Sequence, residues 1–252
     1  MNKKNELLSR RNFFKTSTLA AGAVLGGGVF ASTFSGCDDS KGDRSSMKAS
    51  HHNNIAQESQ ARGRMFFTKD IDFAVLSASC ERIFPKDDLG AGAIELGVPY
   101  FIDNELAGAY GYNAREYMQG PFENGTSTQG YQTPMIRRDI FLEGVKTIEK
   151  QAIHHYKKSF VDLDSKDQDL ILKDFEADKV SMKGVLSSYF FSLLREMTLA
   201  GVYADPIYSG NDKMQGWKMK EFPGAQMSYL AFVADDKFQK LSPISLADMQ
   251  GK

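Results

Sequence analysis

Histidines, cysteines and adjacent acidic residues are the side chains of this sequence that could do chemistry, and they are few. The 252 residues include four histidines, which form the adjacent pairs His51-His52 and His154-His155. Neither pair has a cysteine or an acid at the spacing of a zinc site, so we interpret the first pair as surface residues. The second pair closes an apolar helical pattern, where the helix dipole favours cations. Two cysteines are too few for a disulfide scaffold, a four-cysteine zinc site or an iron–sulfur cluster of the chain's own.

The remaining chemical candidates also have structural interpretations. Asp87 and Asp88 stand in the stretch PKDDLGAG, and their spacing does not match a calcium-binding EF-hand loop, so we predict a turn and a helix cap there. Cys80 shares a helical face with large apolar residues, and we interpret it as a buried small hydrophobic residue rather than a redox thiol. The sequence has no dinucleotide fingerprint after a strand, no G-x-S-x-G, no H-E-x-x-H and no phosphate-binding loop. We therefore predict no catalytic, cofactor-binding or metal-ligating residue in this chain.

The N-terminus has the pattern of an export signal. The stretch SRRNFFK, which contains Arg10 and Arg11, resembles the twin-arginine export motif, with Phe14 where leucine is more usual. Residues 16–37 carry no charge, but their many glycines make them too weakly hydrophobic for a membrane span. A charged start, a short apolar middle and a small-residue end indicate a signal peptide over residues 1–36. This route carries folded proteins, commonly together with a cofactor or a partner.

The end of this signal resembles the lipidation site of bacterial lipoproteins. The stretch FSGC places small residues before Cys37, whose thiol would carry the lipid; ordinary cleavage nearby, which would leave a free thiol, is the alternative. Asp38 resembles an inner-membrane retention signal, so we expect a periplasmic protein anchored to the inner membrane. Residues 37–65 are too polar to bury a core and predict a tether.

The body, residues 66–252, has the apolar periodicity of a mostly α-helical, single compact domain. Apolar residues recur at three- and four-residue steps and predict helices near 69–84, 92–108, 134–157, 165–175 and 182–200. We expect Thr68, Thr133 and Ser165 to cap three of these helices, and Leu170 to face inward. The five tyrosine and phenylalanine residues of the loop 109–132 favour an ordered loop. The net charge of −1 gives no reason to expect nucleic-acid binding.

Residues 201–224 form the most informative segment, because they contain the chain's single Trp among glycines, prolines, tyrosines and asparagines. This composition suits a self-packed loop that closes the core, a carbohydrate site in which Trp and Tyr stack on sugar rings, or an interface with another polypeptide. We expect Trp217 to belong to the core. We expect Tyr208 and Asn211 to contact a partner, with Tyr203 beside them.

Three segments of the body resemble the gluconate 2-dehydrogenase subunit 3 family. They are RIFPKD at residues 82–87, YFIDNEL at residues 100–106, and the loop 201–224 with its G-x-Y-x-D-P…G-N…G-W…F-P-G pattern. The resemblance covers most of residues 66–224, and its last motif is the most specific. Ser209 stands where the family usually has glycine.

The resemblance implies a non-catalytic small subunit of a periplasmic flavin-dependent sugar or alcohol dehydrogenase. It implies no cofactor in this chain, FAD in a GMC-type large subunit that lacks its own signal, and a cytochrome c subunit as a further partner. The small subunit would assist maturation of the large subunit and its export by the twin-arginine translocase. From the composition of the loop 201–224 we predict that part of it contacts the large subunit, with Tyr203, Tyr208, Asn211 and Trp217 as the candidate residues. The alternative is a stand-alone periplasmic sugar-binding lipoprotein or enzyme that uses the Trp217 loop.

Overall fold

The structure is a computed structural model that describes residues 62–250 apart from 124, 125 and 127. Arg10, Arg11, Cys37 and His51-His52 lie outside the described residues, as does nearly all of the tether. The export signal and the lipid anchor therefore stay predictions.

Helices account for the regular structure of the described part of the chain. Its seven α-helices are α1 Asp70–Ile83, α2 Val98–Ala107, α3 Arg137–Tyr156, α4 Ser165–Glu176, α5 Ser187–Tyr203, α6 Gln215–Lys220 and α7 Leu246–Gln250. Four 3₁₀ turns lie between them, at Phe160–Asp162, Pro206–Tyr208, Asp212–Met214 and Leu230–Phe232. Over the same residues β-pairing is limited to the isolated bridges Asp87–Gly90 and Gly224–Ile244. The prediction of a mostly α fold is confirmed.

The helix α5 lies at the centre of the body and packs against α1, α2, α3, α4 and α6. Its Phe190 is fully buried, with edge-to-face contacts to Phe141 at 5.7 Å and Phe175 at 5.8 Å between ring centroids. A Cβ atom at Gly144 of α3 would overlap the Phe190 ring, so α3 approaches α5 closely only because this position has no side chain. No helix in the described part is both long and apolar enough to span a membrane.

The helix starts differ from the sequence expectations at three places. The helix α1 begins after Lys69 with no side-chain cap, so Thr68 is not its cap. The cap of α4 is Asp164, whose carboxylate accepts a hydrogen bond from Asp167 N at 2.8 Å, one residue before the expected Ser165. The helix α3 begins at Arg137, because Thr133 Oγ1 bonds to Met135 N and to the carbonyl of Gly184, both at 3.2 Å, in a loop before the helix.

Three further differences concern α2, α4 and α5. The helix α2 starts at Val98 rather than near 92, because Gly97 before it has φ +77°, a left-handed conformation that interrupts a helix. Leu170 of α4 is exposed rather than inward-facing, since the buried face of this helix consists of Gln168, Ile171, Leu172 and Phe175. The helix α5 starts at Ser187 rather than near 182, because Gly184 has φ +76°, a left-handed conformation that interrupts a helix.

Aromatic contacts order parts of the long loop between α2 and α3, as the sequence predicts. Arg137 stacks over the Tyr110 ring at 4.4 Å, and Tyr131 packs on Tyr189 of α5 at 4.3 Å. The Tyr131 hydroxyl also accepts a hydrogen bond from Leu186 N at 3.0 Å. Tyr117 of the same loop is exposed.

Candidate binding surface

Cys80 and the histidines of the body have the structural roles that the sequence indicates, whereas the acids of the PKDD stretch form the expected turn but cap no helix, because the next helix begins at Val98 after Gly97 with no side-chain cap. Cys80 is fully buried, and burial raises the pKa of its thiol to about 12, so it is protonated and inert at neutral pH. His154 and His155 are exposed at the end of α3. Asp87 accepts a hydrogen bond from Leu89 N at 2.8 Å and so forms a turn. Among residues 62–250 as described, no three His, Cys, Asp or Glu side chains are grouped to hold a metal.

The three motif segments of the sequence lie next to one another in the structure. The first contacts the last, since the rings of Phe84 and Tyr203 pack edge to face with their centroids 6.3 Å apart. The second contacts the last through Asn104, whose Nδ2 donates to Ser209 Oγ at 3.0 Å. Asp212 N also donates to the carbonyl of Leu96 at 3.1 Å. One surface region is therefore built from segments more than 100 residues apart in sequence.

Glu81 holds the first motif segment in shape. Its carboxylate accepts hydrogen bonds from Lys86 N and Ile94 N, both at 2.9 Å, and so closes the turn that follows α1. A Cβ atom at Gly92 would overlap this carboxylate, which explains the glycine in the turn. The role of Glu81 has no signal in the sequence, because its partners lie five and thirteen residues away.

Asp103 of the second motif segment fixes the point where the chain enters the body. It is fully buried, and its carboxylate accepts hydrogen bonds from Met65 N, from Phe66 N at 3.2 Å and from Phe67 N at 2.7 Å. A buried carboxylate is stabilised by such backbone donors. The sequence contains this aspartate in the YFID stretch but does not indicate that it binds backbone amides.

Residues 201–224, named the motif loop from here on, use their polar side chains to bind backbone. Asp205 accepts from Ile207 N at 3.1 Å and from Leu246 N, at the start of α7, at 2.8 Å. Asn211 donates to the carbonyl of Ala204 at 2.8 Å and accepts from Gly216 N at 2.7 Å. These polar groups hold the loop in one shape.

Glycines let the motif loop lie directly on the end of α5. A Cβ atom at Gly210 would overlap the carbonyl of Gly201, and one at Gly216 would overlap the carbonyl of Val202. Ser209 adopts the left-handed conformation with φ +71°. The turn therefore forms with serine, and the hydroxyl gains the hydrogen bond from Asn104.

The four side chains that we expected at an interface have different environments. Trp217 is 5% exposed, donates from Nε1 to the carbonyl of Tyr203 at 2.8 Å and packs edge-on against Phe222, so its placement in the core is confirmed. Tyr208 is 53% exposed, and Tyr203 is half-buried. Asn211 is fully buried, so its side chain is not on the surface where we expected it. Whether the motif loop contacts a partner stays a prediction.

A model of the gluconate 2-dehydrogenase subunit 3 family matches residues 70–224. The chain belongs to this family. No curated protein and no solved structure matches the chain. Membership in a family named for a dehydrogenase subunit indicates an accessory subunit of a dehydrogenase complex, and so implies partner subunits.

The match to subunit 3 begins at the first residue of α1 and ends at the last residue of the motif loop. All three motif segments lie inside it. The large apolar side chains that these segments and the turn after the first one expose are Leu89, Ile94, Ile207, Tyr208 and Phe222. The subunit 3 region of this chain therefore carries exposed apolar side chains.

Proposed function

We propose that this chain is a non-catalytic small subunit that binds a folded, FAD-containing subunit of a periplasmic sugar or alcohol dehydrogenase. The observation that carries the proposal is that polar side chains in and next to the motif segments bind this chain's own backbone, whereas apolar side chains there are exposed. Glu81, Asp103, Asp205 and Asn211 all bind backbone groups of this chain, while apolar side chains of the same region face solvent.

This division fits a docking surface better than an active site. Catalysis needs polar groups aimed at a bound substrate, whereas the motif side chains named above are committed to their own backbone. Protein interfaces instead concentrate their energy in a few aromatic and apolar anchors on a preformed surface. A sugar site at Trp217 is disfavoured, because the ring is buried against Phe222 and has no free face for stacking on a sugar.

The proposal also assigns a role to the N-terminal segments. The twin-arginine signal with Arg10 and Arg11 would carry this chain and the bound flavoprotein, a GMC-type subunit without its own signal, through the translocase as one folded complex. Cys37 would then hold the complex at the inner membrane, close to a cytochrome c subunit that takes the electrons. The motif match in the sequence and the family membership support this role.

Copurification tests the proposal directly. Tagged full-length chain purified from its own host is expected to bring down a flavoprotein, identified by its flavin spectrum, whereas the chain separated from it should carry neither flavin nor dehydrogenase activity. The double variant Ile207→Ser/Tyr208→Ala should retain about tenfold less flavoprotein, because two exposed anchors of the motif loop are lost. The matched control is Tyr117→Ala, an exposed tyrosine outside the motifs. Absence of any flavoprotein with the unaltered chain would refute the proposal.

Export provides a second test. Replacing Arg10 and Arg11 by lysine should leave the precursor and its flavoprotein together in the cytoplasm, since the translocase reads guanidinium groups rather than charge alone. Replacing Lys3 and Lys4 by glutamine is the control, because it removes charge but keeps the arginine pair. The Cys37→Ser variant should be exported and lose its membrane attachment. Normal export of the double lysine variant would contradict the assigned route.

A further inference from the structure

Residues 225–243 form a loop beyond the family match, named the apolar loop from here on. It begins directly after Gly224, where the subunit 3 match ends, and returns to the body at Ile244. Its only helical element is the 3₁₀ turn Leu230–Phe232.

The two ends of the apolar loop are fixed to each other and to the body. Ala225 N donates to the carbonyl of Ile244 at 2.8 Å, and Ile244 N donates to the carbonyl of Pro223 at 3.2 Å. Gln226 Nε2 donates to the carbonyls of Pro223 at 2.9 Å and Ser242 at 3.3 Å. The residues between these two ends form a projection whose base is closed by these hydrogen bonds.

The projection carries large apolar side chains into solvent. Met227 is 87% exposed, Leu230 81%, Val233 75% and Phe238 90%. Beneath it lies a cleft of about 460 Å³ whose lining includes Phe222 and Pro223 of the motif loop and Tyr229, Phe232 and Phe238 of the apolar loop. A soluble protein seldom exposes so many large apolar side chains together unless something covers them.

The charge of the apolar loop points to a protein rather than a membrane as the covering surface. Its charged residues are Asp235, Asp236, Lys237 and Lys240, with a sum of zero. An anionic bilayer attracts segments with a surplus of lysine and arginine, and this loop has no surplus. A neutral, apolar segment is typical of the central part of a protein interface.

The exposed apolar area of this loop alone is smaller than one side of a standard protein interface. A standard interface buries about 800 Å² on each side, and the four exposed side chains supply on the order of 500 Å². Phe222, a half-exposed residue of the motif loop, lines the same cleft as Phe238 and extends this surface. This surface extends to the motif loop, which is part of the proposed binding region for the flavoprotein.

We propose that the apolar loop is a docking arm for the FAD-containing subunit: Leu230 and Phe238 insert into an apolar groove of that subunit, and the cleft beneath them receives one of its apolar side chains. This inference rests on the proposed function. It adds a binding element that lies outside the region shared with the family.

The test uses the full-length chain copurified with its flavoprotein from the native host. The double variant Leu230→Ser/Phe238→Ser should retain at least about tenfold less flavoprotein per chain, measured by flavin absorbance. The matched control is Leu170→Ser/Tyr117→Ser, which replaces one exposed leucine and one exposed tyrosine away from the motifs. Both variants should unfold within about two degrees of the unaltered chain, since exposed side chains contribute little to stability.

The outcomes separate this inference from the function on which it rests. If the unaltered chain retains no flavoprotein, the proposed function fails together with the docking arm. If the unaltered chain and the Leu230→Ser/Phe238→Ser variant retain equal amounts, the docking arm alone is refuted. The docking arm is also refuted if this variant keeps its flavoprotein and instead loses self-association by light scattering, or loses sedimentation with vesicles of bacterial phospholipid.

Discussion

The motif loop and the apolar loop follow each other in sequence and are built in opposite ways. In the motif loop, Asp205, Asn211 and Trp217 each bind backbone groups, and five non-glycine residues are held at positive φ: Ser209, Asn211, Lys213, Met214 and Glu221. In the apolar loop no described residue has positive φ, and the side-chain bonds to the rest of the body lie near its base. Polar side chains of the motif loop bond to its own backbone, whereas large side chains of the apolar loop face solvent.

With the docking role proposed for the apolar loop, this difference would give the accessory subunit one loop held by buried hydrogen bonds and one loop held near its base. Left-handed backbone costs about 1–2 kcal/mol per non-glycine residue, so the motif loop keeps five such residues only because buried bonds hold it. A loop held at its base can adjust to a partner's surface at little cost. Substitutions in the two loops should therefore act on different quantities, stability in the first and binding in the second.

The largest difference in stability is expected between the alanine variants of Trp217 and Phe238. Trp217→Ala should lower the free energy of unfolding by about 3–5 kcal/mol, because it empties a buried site and removes the bond to the carbonyl of Tyr203. Phe238→Ala should change it by less than about 0.5 kcal/mol, since this ring is 90% exposed. Denaturant unfolding of the two variants measures both values. Equal losses would mean that the apolar loop packs on the body like a core element.

The sequence was sufficient for the features that depend on local apolar spacing. Periodicity located the five longest helices, and it placed Cys80 on the inner face of α1, where it is buried. The single tryptophan, set among turn residues, indicated a core anchor correctly. In each case the signal comes from neighbours on the same helix or loop, so residue types and spacing carried enough information, although the hydrogen-bond partner of Cys80, Thr198, lies on α5.

The features that the sequence did not show depend on distant backbone groups. Asn211, between two small or polar residues, has the pattern of a surface turn, and its burial follows from carbonyl and amide groups that only the folded loop brings within reach. The start of α3 depends on the bond between Thr133 and Gly184, 51 residues away. The apolar loop has neither helical nor alternating spacing, so its outward-facing side chains could not be told from core residues.

The second expected difference in stability is between the alanine variants of Asn211 and Gln226, two amide side chains that bridge backbone segments. Asn211→Ala should cost about 3 kcal/mol, because the carbonyl of Ala204 and the amide of Gly216 lose their buried partner. Gln226→Ala, at the base of the apolar loop, should cost at most about 1 kcal/mol, since water can replace its partly exposed bonds. Thermal and denaturant unfolding give both numbers. If Gln226→Ala lowered the free energy of unfolding more than Asn211→Ala does, the apolar loop would be the more firmly held of the two loops.

The smallest expected effect tests backbone strain with a pair of serines. Ser209 has φ +71° and its hydroxyl accepts a hydrogen bond, while Ser228 of the apolar loop accepts one from Leu230 N without positive φ. Glycine and alanine both remove the hydroxyl, but only glycine relieves left-handed strain. Ser209→Gly should therefore be more stable than Ser209→Ala by about 1 kcal/mol. At residue 228 the alanine variant should instead be more stable than the glycine variant by a few tenths of a kcal/mol, because glycine there only adds conformational freedom to the unfolded chain. If alanine is the better replacement at both positions, the motif loop stores no strain at Ser209, and its contrast with the apolar loop rests on hydrogen bonds alone.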